Sequence, residues 1–377
     1  MTETIKSYDF LVIGAGIAGA SAAYELARGG RRVLVCEMED QPGYHTTGRS
    51  AALFTENYGN DVFRGITSAS RDFFENPPEG FCQHPLLSKR GELFVADEKN
   101  AASLDEVISA SKGAAKMTLL ETAQLLEVSP ALRPESSVRG GWDAVASDID
   151  VAALLQGFIR GFRGAGGELV TDAEILNLTR SDDHWQIETR AGTYAAPVIV
   201  NAAGAWADQI ADMAGAGSVG ITPKRRTALT FDPGLDISKW PLTIGADESW
   251  YFKPEGGDLM ISPADETPSP PCDAQPDEMD VALCIDRIET VTTMKVGRII
   301  SKRAGLRTFA SDKSPVVGFA EDCEGFFWLA GQGGYGIQTA PAMARIVAAL
   351  ANRKDIPEDI AAYGITAAQL SPSRFKS

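Results

Sequence analysis

A chain of 377 residues, 44% hydrophobic and 23% charged, is long enough for two domains and has the balance of an ordinary globular protein. Its net charge of −16 argues against a nucleic-acid surface and fits solubility, with at most a weak pull on cationic substrates. Five scattered cysteines (36, 82, 272, 284, 323) and three histidines (45, 84, 184) argue against a disulfide framework, a zinc site or a His-rich metal site.

Tyr8 to Ile13 is a short apolar run that reads as a buried strand. Gly14, Gly16 and Gly19 follow in G-x-G-x-x-G spacing, then a helical stretch from Ala20 to Arg28, the break Gly29-Gly30, and a second strand from Val33 to Cys36. Glu37 closes the unit 23 residues after the first glycine. Gly14 suits the tight turn, Gly16 lets a pyrophosphate approach the backbone, and Gly19 lets helix pack on strand. The helix start offers free N–H groups and partial positive charge to phosphates. Glu37 can accept from an adenosine ribose and would repel a 2′-phosphate. A glycine-rich turn in an unrelated α/β fold leaves that terminal acid unexplained. The expected fold is α/β, a Rossmann-like dinucleotide-binding domain with a second, α+β domain.

QPGYHTTGRSAALFTENYGND comes next, the expected mobile loop, with Thr46, Thr47, Arg49 and Ser50 as phosphate or ring-edge donors. A helix is expected over 61–75 with Asp61 as N-cap, a strand over 91–96, helices over 98–112 and 121–128, and a strand over 138–145. Asp150 caps a helix to about Gly164. Strands follow near 168–170, 174–180, 185–190 and 197–203, then Gly204 and a helix from Trp206 to Ala214. From Thr222 the texture turns antiparallel, with strands over 223–231, 248–253 and 258–262, a proline-rich loop over 263–277 and a helix over 279–293. Strands over 304–309, 316–320 and 326–330 lead into Gly331-Gln332-Gly333-Gly334-Tyr335-Gly336 and a helix from Ile337 to Ala351; the tail after Lys354 is loosely specified. The chain is thus expected to form a discontinuous nucleotide domain (1–79, 144–220, 301–377) and an antiparallel substrate domain (80–143, 221–300). No apolar run reaches membrane-spanning length, and the early first strand leaves no room for a secretory signal, so the expected location is cytoplasmic.

With these pieces placed, the sequence resembles the D-amino-acid oxidase superfamily of FAD enzymes, which includes glycine and sarcosine oxidases. QPGYHTTGRSAA, NPPEGFCQHPLLS, PKRRTA, DESWYFKP, AGLRTF and EGFFWLAGQGGYGIQT are most similar to the bacterial FAD-dependent D-arginine dehydrogenases. The resemblance implies FAD in the nucleotide site, a FAD-binding domain and a substrate-binding domain. It assigns to the cofactor Gly14, Gly16, Ile17, Ala18, Gly19, Glu37, Met38, His45, Thr46, Thr47, Gly48, Arg49, Ser50, Ala51, Ala52, Ile175, Ala203, Gly204, Trp206, Gly333, Gly334, Tyr335, Gly336, Ile337 and Gln338. A glycine-rich helix start also suits the anionic N1–C2=O edge of a reduced flavin. Sarcosine oxidases link a cysteine to the flavin near the position of Arg307-Thr308-Phe309; no cysteine stands there, so FAD is expected to be non-covalent.

An α-amino acid brings a carboxylate, which the planar fork of an arginine binds bidentately. Arg226 and Arg307 match family positions that face the substrate, Arg307 as the clamp. Tyr58 and Tyr251 match tyrosines that close the pocket, and these two with Arg307 form the expected catalytic set. Gly334 matches a carbonyl that takes the substrate amine, with Gln338 one helical turn on. Glu92 matches the acid that meets the end of a basic side chain. Leu53 departs from the pattern, replacing a histidine with an apolar residue and favouring larger or more apolar substrates. Without the resemblance, Arg225-Arg226 reads as a solvated charge run and Glu92 as a solvent-facing edge residue.

The implied reaction is oxidative deamination of D-amino acids such as D-Arg or D-Lys to 2-oxo acids and ammonia, by hydride transfer from the α-carbon to flavin N5. The alternatives are a glycine- or sarcosine-type secondary-amine oxidase and a non-catalytic flavin-binding protein. The electron acceptor, whether quinone, dye or oxygen, is not written in the sequence.

Overall fold

The side chains of the Phe10–Ile13 strand alternate between two separate cores. Phe10 and Val12 face one way with Val33, Val35, Val200 and Phe327; Leu11 and Ile13 face the other with Leu34, Ile199, Phe326 and Trp328. A pleated strand covered on both faces needs apolar residues at every position, which is why the run is uninterrupted. The computed structural model, which describes residues 5–375, places this strand inside a six-stranded sheet. The order is Glu168–Val170, Val33–Cys36, Phe10–Ile13, Val198–Asn201, Phe326–Ala330 and Val316–Phe319, parallel except for the last pair. Helices Ile17–Arg28, Val151–Gly164 and Gly336–Ala351 cover one face. A four-stranded sheet and the helix Ala207–Ala214 cover the other. The mixed α/β class is therefore the expected one.

The second sheet has nine strands. Its Thr222–Phe231 strand pairs along its whole length with Ile299–Phe309, so the expected domain boundary at 301 falls inside a strand. One face packs Leu93, Leu229, Phe252 and Ile261 against Cys284 and Ile288 of the helix Glu278–Val291. The opposite face carries Phe94, Ala228, Tyr251 and Met260. Period-2 alternation sorts the basic run accordingly. Arg225 points to the helix side and donates to Asp280 at 2.7 Å. Arg226 lies on the opposite face, whose residues line the cleft described below.

Several expectations shift. Asn60 caps the Asp61–Glu75 helix in place of Asp61, its Oδ1 accepting from Phe63 N at 3.1 Å. The strand expected from Glu248 begins at Tyr251, because Glu248 has a φ of 54° and stands in the preceding turn. Gly192–Ala196 and Leu242–Gly245 are additional strands. The tail is well specified: Ile360, Ile365 and Leu370 are buried in the main core, and Arg374 donates to Asp312 at 2.8 Å. Among the described residues no helix is long and apolar enough to cross a membrane.

Candidate active site

A cleft of about 330 Å³ opens at the carboxyl ends of the central parallel strands, where they meet the nine-stranded sheet. That is where open α/β sheets bind ligands. Of the residues expected around the cofactor, those at 14, 16–18, 37–38, 45–47, 49–51, 175, 203, 204, 206, 333, 334, 336 and 337 line it.

At one end the glycine turn is obligatory. Gly14 has a φ of 97°, and a Cβ there would stand 2.7 Å from the Ala202 carbonyl oxygen. Gly19 lies beneath the wall: its Cβ would overlap the Gly14 carbonyl, so it serves the packing of helix on strand. Glu37 is buried, and its Oε2 accepts from Ala15 N at 2.7 Å while Oε1 accepts from Glu39 N at 3.1 Å. Burial raises its carboxyl above the usual range, and those backbone bonds oppose the rise. Each oxygen retains a lone pair for a ribose hydroxyl.

The 41–52 loop is tied down rather than free. Thr46 Oγ1 donates to Leu306 O at 2.8 Å, whereas Thr47 Oγ1 accepts from Ile17 N at 3.0 Å and keeps its own O–H to donate. Arg49 lines the cleft, and its guanidinium also clasps the fold, donating to Asp273 and to the carbonyls of Ala274 and Ala304. Ser50 lines the cleft and donates its backbone N–H to Thr47 O. His45 bonds Glu39 at 2.8 Å and packs on Trp206, ring centroids 4.7 Å apart. Gly48 and Ala52 do not line the cleft: a Cβ on Gly48 would meet Gly43 O at 2.7 Å, and Ala52 packs into the main core.

At the other end two guanidiniums share one face of the antiparallel pair. Gly305 stands directly opposite Arg226 and leaves space there, and Arg307 lies two residues on, opposite Lys224. Arg226 donates to the Asp265 carbonyl at 2.8 Å and to Glu266 at 3.3 Å. Arg307 donates only to the Tyr58 hydroxyl, at 3.1 Å, and joins no salt bridge among the described residues. A Cβ on Gly334 would lie 2.9 Å from Arg307 Cζ, so a larger residue there would push the guanidinium aside. Tyr251 is buried on the same face. Burial pushes its phenol up, but Arg307 and Arg226 together outweigh this and hold it below the ordinary tyrosine value.

Glu92, expected to meet the end of a basic side chain, lies in the interior and off the cleft wall: its strand is flanked by Leu242–Gly245 and Arg139–Asp143, and it is 3% exposed. Its Oε2 accepts from Thr55 Oγ1 at 2.6 Å. Burial above all, with the Asp143 and Glu248 carboxylates nearby, pushes its pKa up to about 8 against the Thr55 bond. Gln338 is spent on the same network, accepting from Thr55 N at 3.3 Å and donating to Thr67 at 3.0 Å, and is not on the cleft wall. Tyr335 is also off the wall. It stacks on Phe63 with centroids 4.2 Å apart and packs on Tyr58 at 4.7 Å. Leu53 packs with Ala51 against the cluster holding Tyr251 and Phe94. The sequence reading missed Thr55, the junction of this network, and Gly305 and Gln332 on the wall. Gln332 sits inside the recognised glycine loop, which was its available signal; Thr55 had none.

The fold and this site define a flavin-dependent oxidoreductase. A model of the FAD-dependent oxidoreductase family matches residues 9–350, and the chain belongs to that family. It is 24% identical to mitochondrial dimethylglycine dehydrogenase of Mus musculus over 97% of its length, and spans 44% of that relative. It is 23% identical to glycine oxidase of Geobacillus kaustophilus, covering 95% of this chain and 97% of the relative. The solved structure of L-proline dehydrogenase from P. horikoshii superposes with a TM-score of 0.84 at 21% identity, over 99% of both chains. The residues present fit FAD: a turn that admits no Cβ, a buried acid with spare acceptor capacity, and a long wall of small and apolar residues.

Proposed function

We propose that the protein oxidises amino acids at the α-carbon, with FAD held along the cleft and the substrate carboxylate gripped by Arg307 and Arg226. The observation that carries this reading is the half-buried Arg307 guanidinium, which has the Tyr58 hydroxyl as its hydrogen-bond partner and, among the described residues, no carboxylate in salt-bridge contact. Its planar fork of N–H donors matches an incoming carboxylate bidentately. Bound FAD supplies a two-electron acceptor for the α-hydrogen and its electron pair.

The chain's own residues do the positioning. Arg307 and Arg226 fix the acid end, the Tyr58 and Tyr251 hydroxyls close over it, and the Gly334 carbonyl takes the amine. The amine sheds a proton to ordered water, since no side chain stands out as a dedicated base. The imino acid leaves and hydrolyses in water to a 2-oxo acid and ammonia. FAD is held non-covalently. The one cysteine among the described wall residues is Cys36, whose thiol burial pushes up to about 12, a poor nucleophile.

The preferred substrates are D-amino acids with a cationic side chain, such as D-Arg or D-Lys. A buried carboxyl at Glu92 with no basic partner among the described residues supports the second charge, and the D configuration is supported by the resemblance in DESWYFKP and AGQGGYGIQT. Leu53 beside Tyr251 adds an apolar wall that widens the range. The second reading is a small secondary amine, as the names glycine oxidase and dimethylglycine dehydrogenase suggest for those relatives. Anaerobic mixing with D-Arg, D-Lys, D-Met, glycine, sarcosine and the L-amino acids separates the readings. D isomers should bleach the flavin; bleaching by L forms or sarcosine alone would refute the first reading. Repeating the panel with dye and oxygen identifies the electron acceptor.

A further inference from the structure

Gln332 stands between the Phe326–Ala330 strand and the Gly336–Ala351 helix, and its residue lines the cleft. It is 9% exposed, and its Nε2 is a buried donor without a hydrogen-bond partner. Its backbone carbonyl accepts from Tyr335 N at 2.9 Å. The side chain folds back over the helix start: a Cβ on Gly336 would stand 2.8 Å from Gln332 Oε1. Glycine at 336 therefore gives this amide its room. A buried, unmade hydrogen bond costs about 1–3 kcal/mol, so such donors in native proteins await a partner.

We infer that the Gln332 side-chain amide is a ligand of the flavin ring, with Nε2–H donating to a carbonyl of its pyrimidine edge. That edge carries the ring's carbonyl acceptors, and reduction places negative charge on it. A donor there adds to the partial positive charge of the helix N-terminus and stabilises the reduced anion more than the oxidised ring. Gln332 thus tunes how readily the cofactor accepts electrons, in addition to holding it. The inference rests on FAD occupying this cleft.

The test is the reduction equilibrium of the bound flavin against a reference dye, read without substrate. Gln332→Met keeps the length and removes the donor. It should shift the equilibrium about tenfold toward the oxidised form, about 30 mV for a two-electron couple. Gln332→Glu, which adds a negative charge, should shift it further the same way. A yellow Gln332→Met protein with an unchanged equilibrium overturns the inference. If either variant loses FAD, the wild-type protein decides. With ¹⁵N-labelled glutamine, adding FAD to the apoprotein should move the Gln332 side-chain amide resonance and slow its exchange. An unmoved resonance in a yellow protein overturns the inference, whereas a colourless wild-type protein overturns the cofactor assignment along with it.

Discussion

Arg307 donates to the Tyr58 hydroxyl at 3.1 Å across 249 residues of sequence, its one hydrogen bond among the described residues. The nine-stranded sheet delivers the charge, while the loop before the Asp61–Glu75 helix delivers the phenol. Replacing Arg307 with Met should lower kcat/KM by about 10²–10³-fold, the effect of removing one partner of a buried charged contact. Arg307→Lys should recover only a small part, because an ammonium lacks the bidentate fork. Steady-state kinetics reads both effects, and a denaturant titration checks that the variants stay folded.

Glu92 makes substrate binding and stability depend on pH. Its folded pKa of about 8 lies above the ordinary unfolded value of about 4.3, so the native state binds more protons between those limits. Stability contributed by the protonated carboxyl is full below about pH 4 and is lost as pH rises toward 8. Glu92→Gln should remove that slope. A cationic substrate needs the ionised form, so KM for D-Arg should fall as pH rises through about 8 and become flat and high in Glu92→Gln. KM–pH profiles for D-Arg and D-Met distinguish this from a general loss of folding, because D-Met should be spared.

Gly334→Ala tests the closeness of the glycine loop to the clamp. The added methyl would sit 2.9 Å from Arg307 Cζ, so the guanidinium must move. Misplacing a substrate-positioning group by an ångström costs about 10²-fold in rate. FAD content should stay at wild-type level, measured by absorbance of the purified protein.

Arg49→Ala should weaken FAD binding about tenfold while leaving KM unchanged in the FAD-saturated enzyme. The guanidinium bonds Asp273, Ala274 and Ala304, which fastens the 41–52 loop to the 263–277 segment and the sheet. Losing about 1.4 kcal/mol of that fastening corresponds to the tenfold change. Titration of apoprotein with FAD, followed by tryptophan fluorescence, reads it.

What could be read from the chain alone was local. The Phe10–Ile13 strand, the glycine turn and Glu37 lie within one βαβ unit whose spacing carries its own explanation. Arg226 and Arg225 are neighbours with different fates, and alternation separates them only once the register with Ile299–Phe309 is known. The clasp made by Arg49 could not be read from the chain because its partners at 273, 274 and 304 are remote in sequence. The residues alone left Glu92 at a sheet edge, and only the resemblance placed it inward, because Leu242–Gly245, the strand that buries it on one side, carries a weak pattern. Thr55 was invisible for the same reason: its value lies in Glu92 and Gln338, both brought to it by the fold.

The most direct test of the central claim is anaerobic mixing of D-Arg with the wild-type protein and with Arg307→Met, both loaded with FAD, followed at the visible flavin band. The wild-type flavin should bleach rapidly and the variant should stay yellow on the same timescale. Equal bleaching in both would contradict a carboxylate clamp at Arg307.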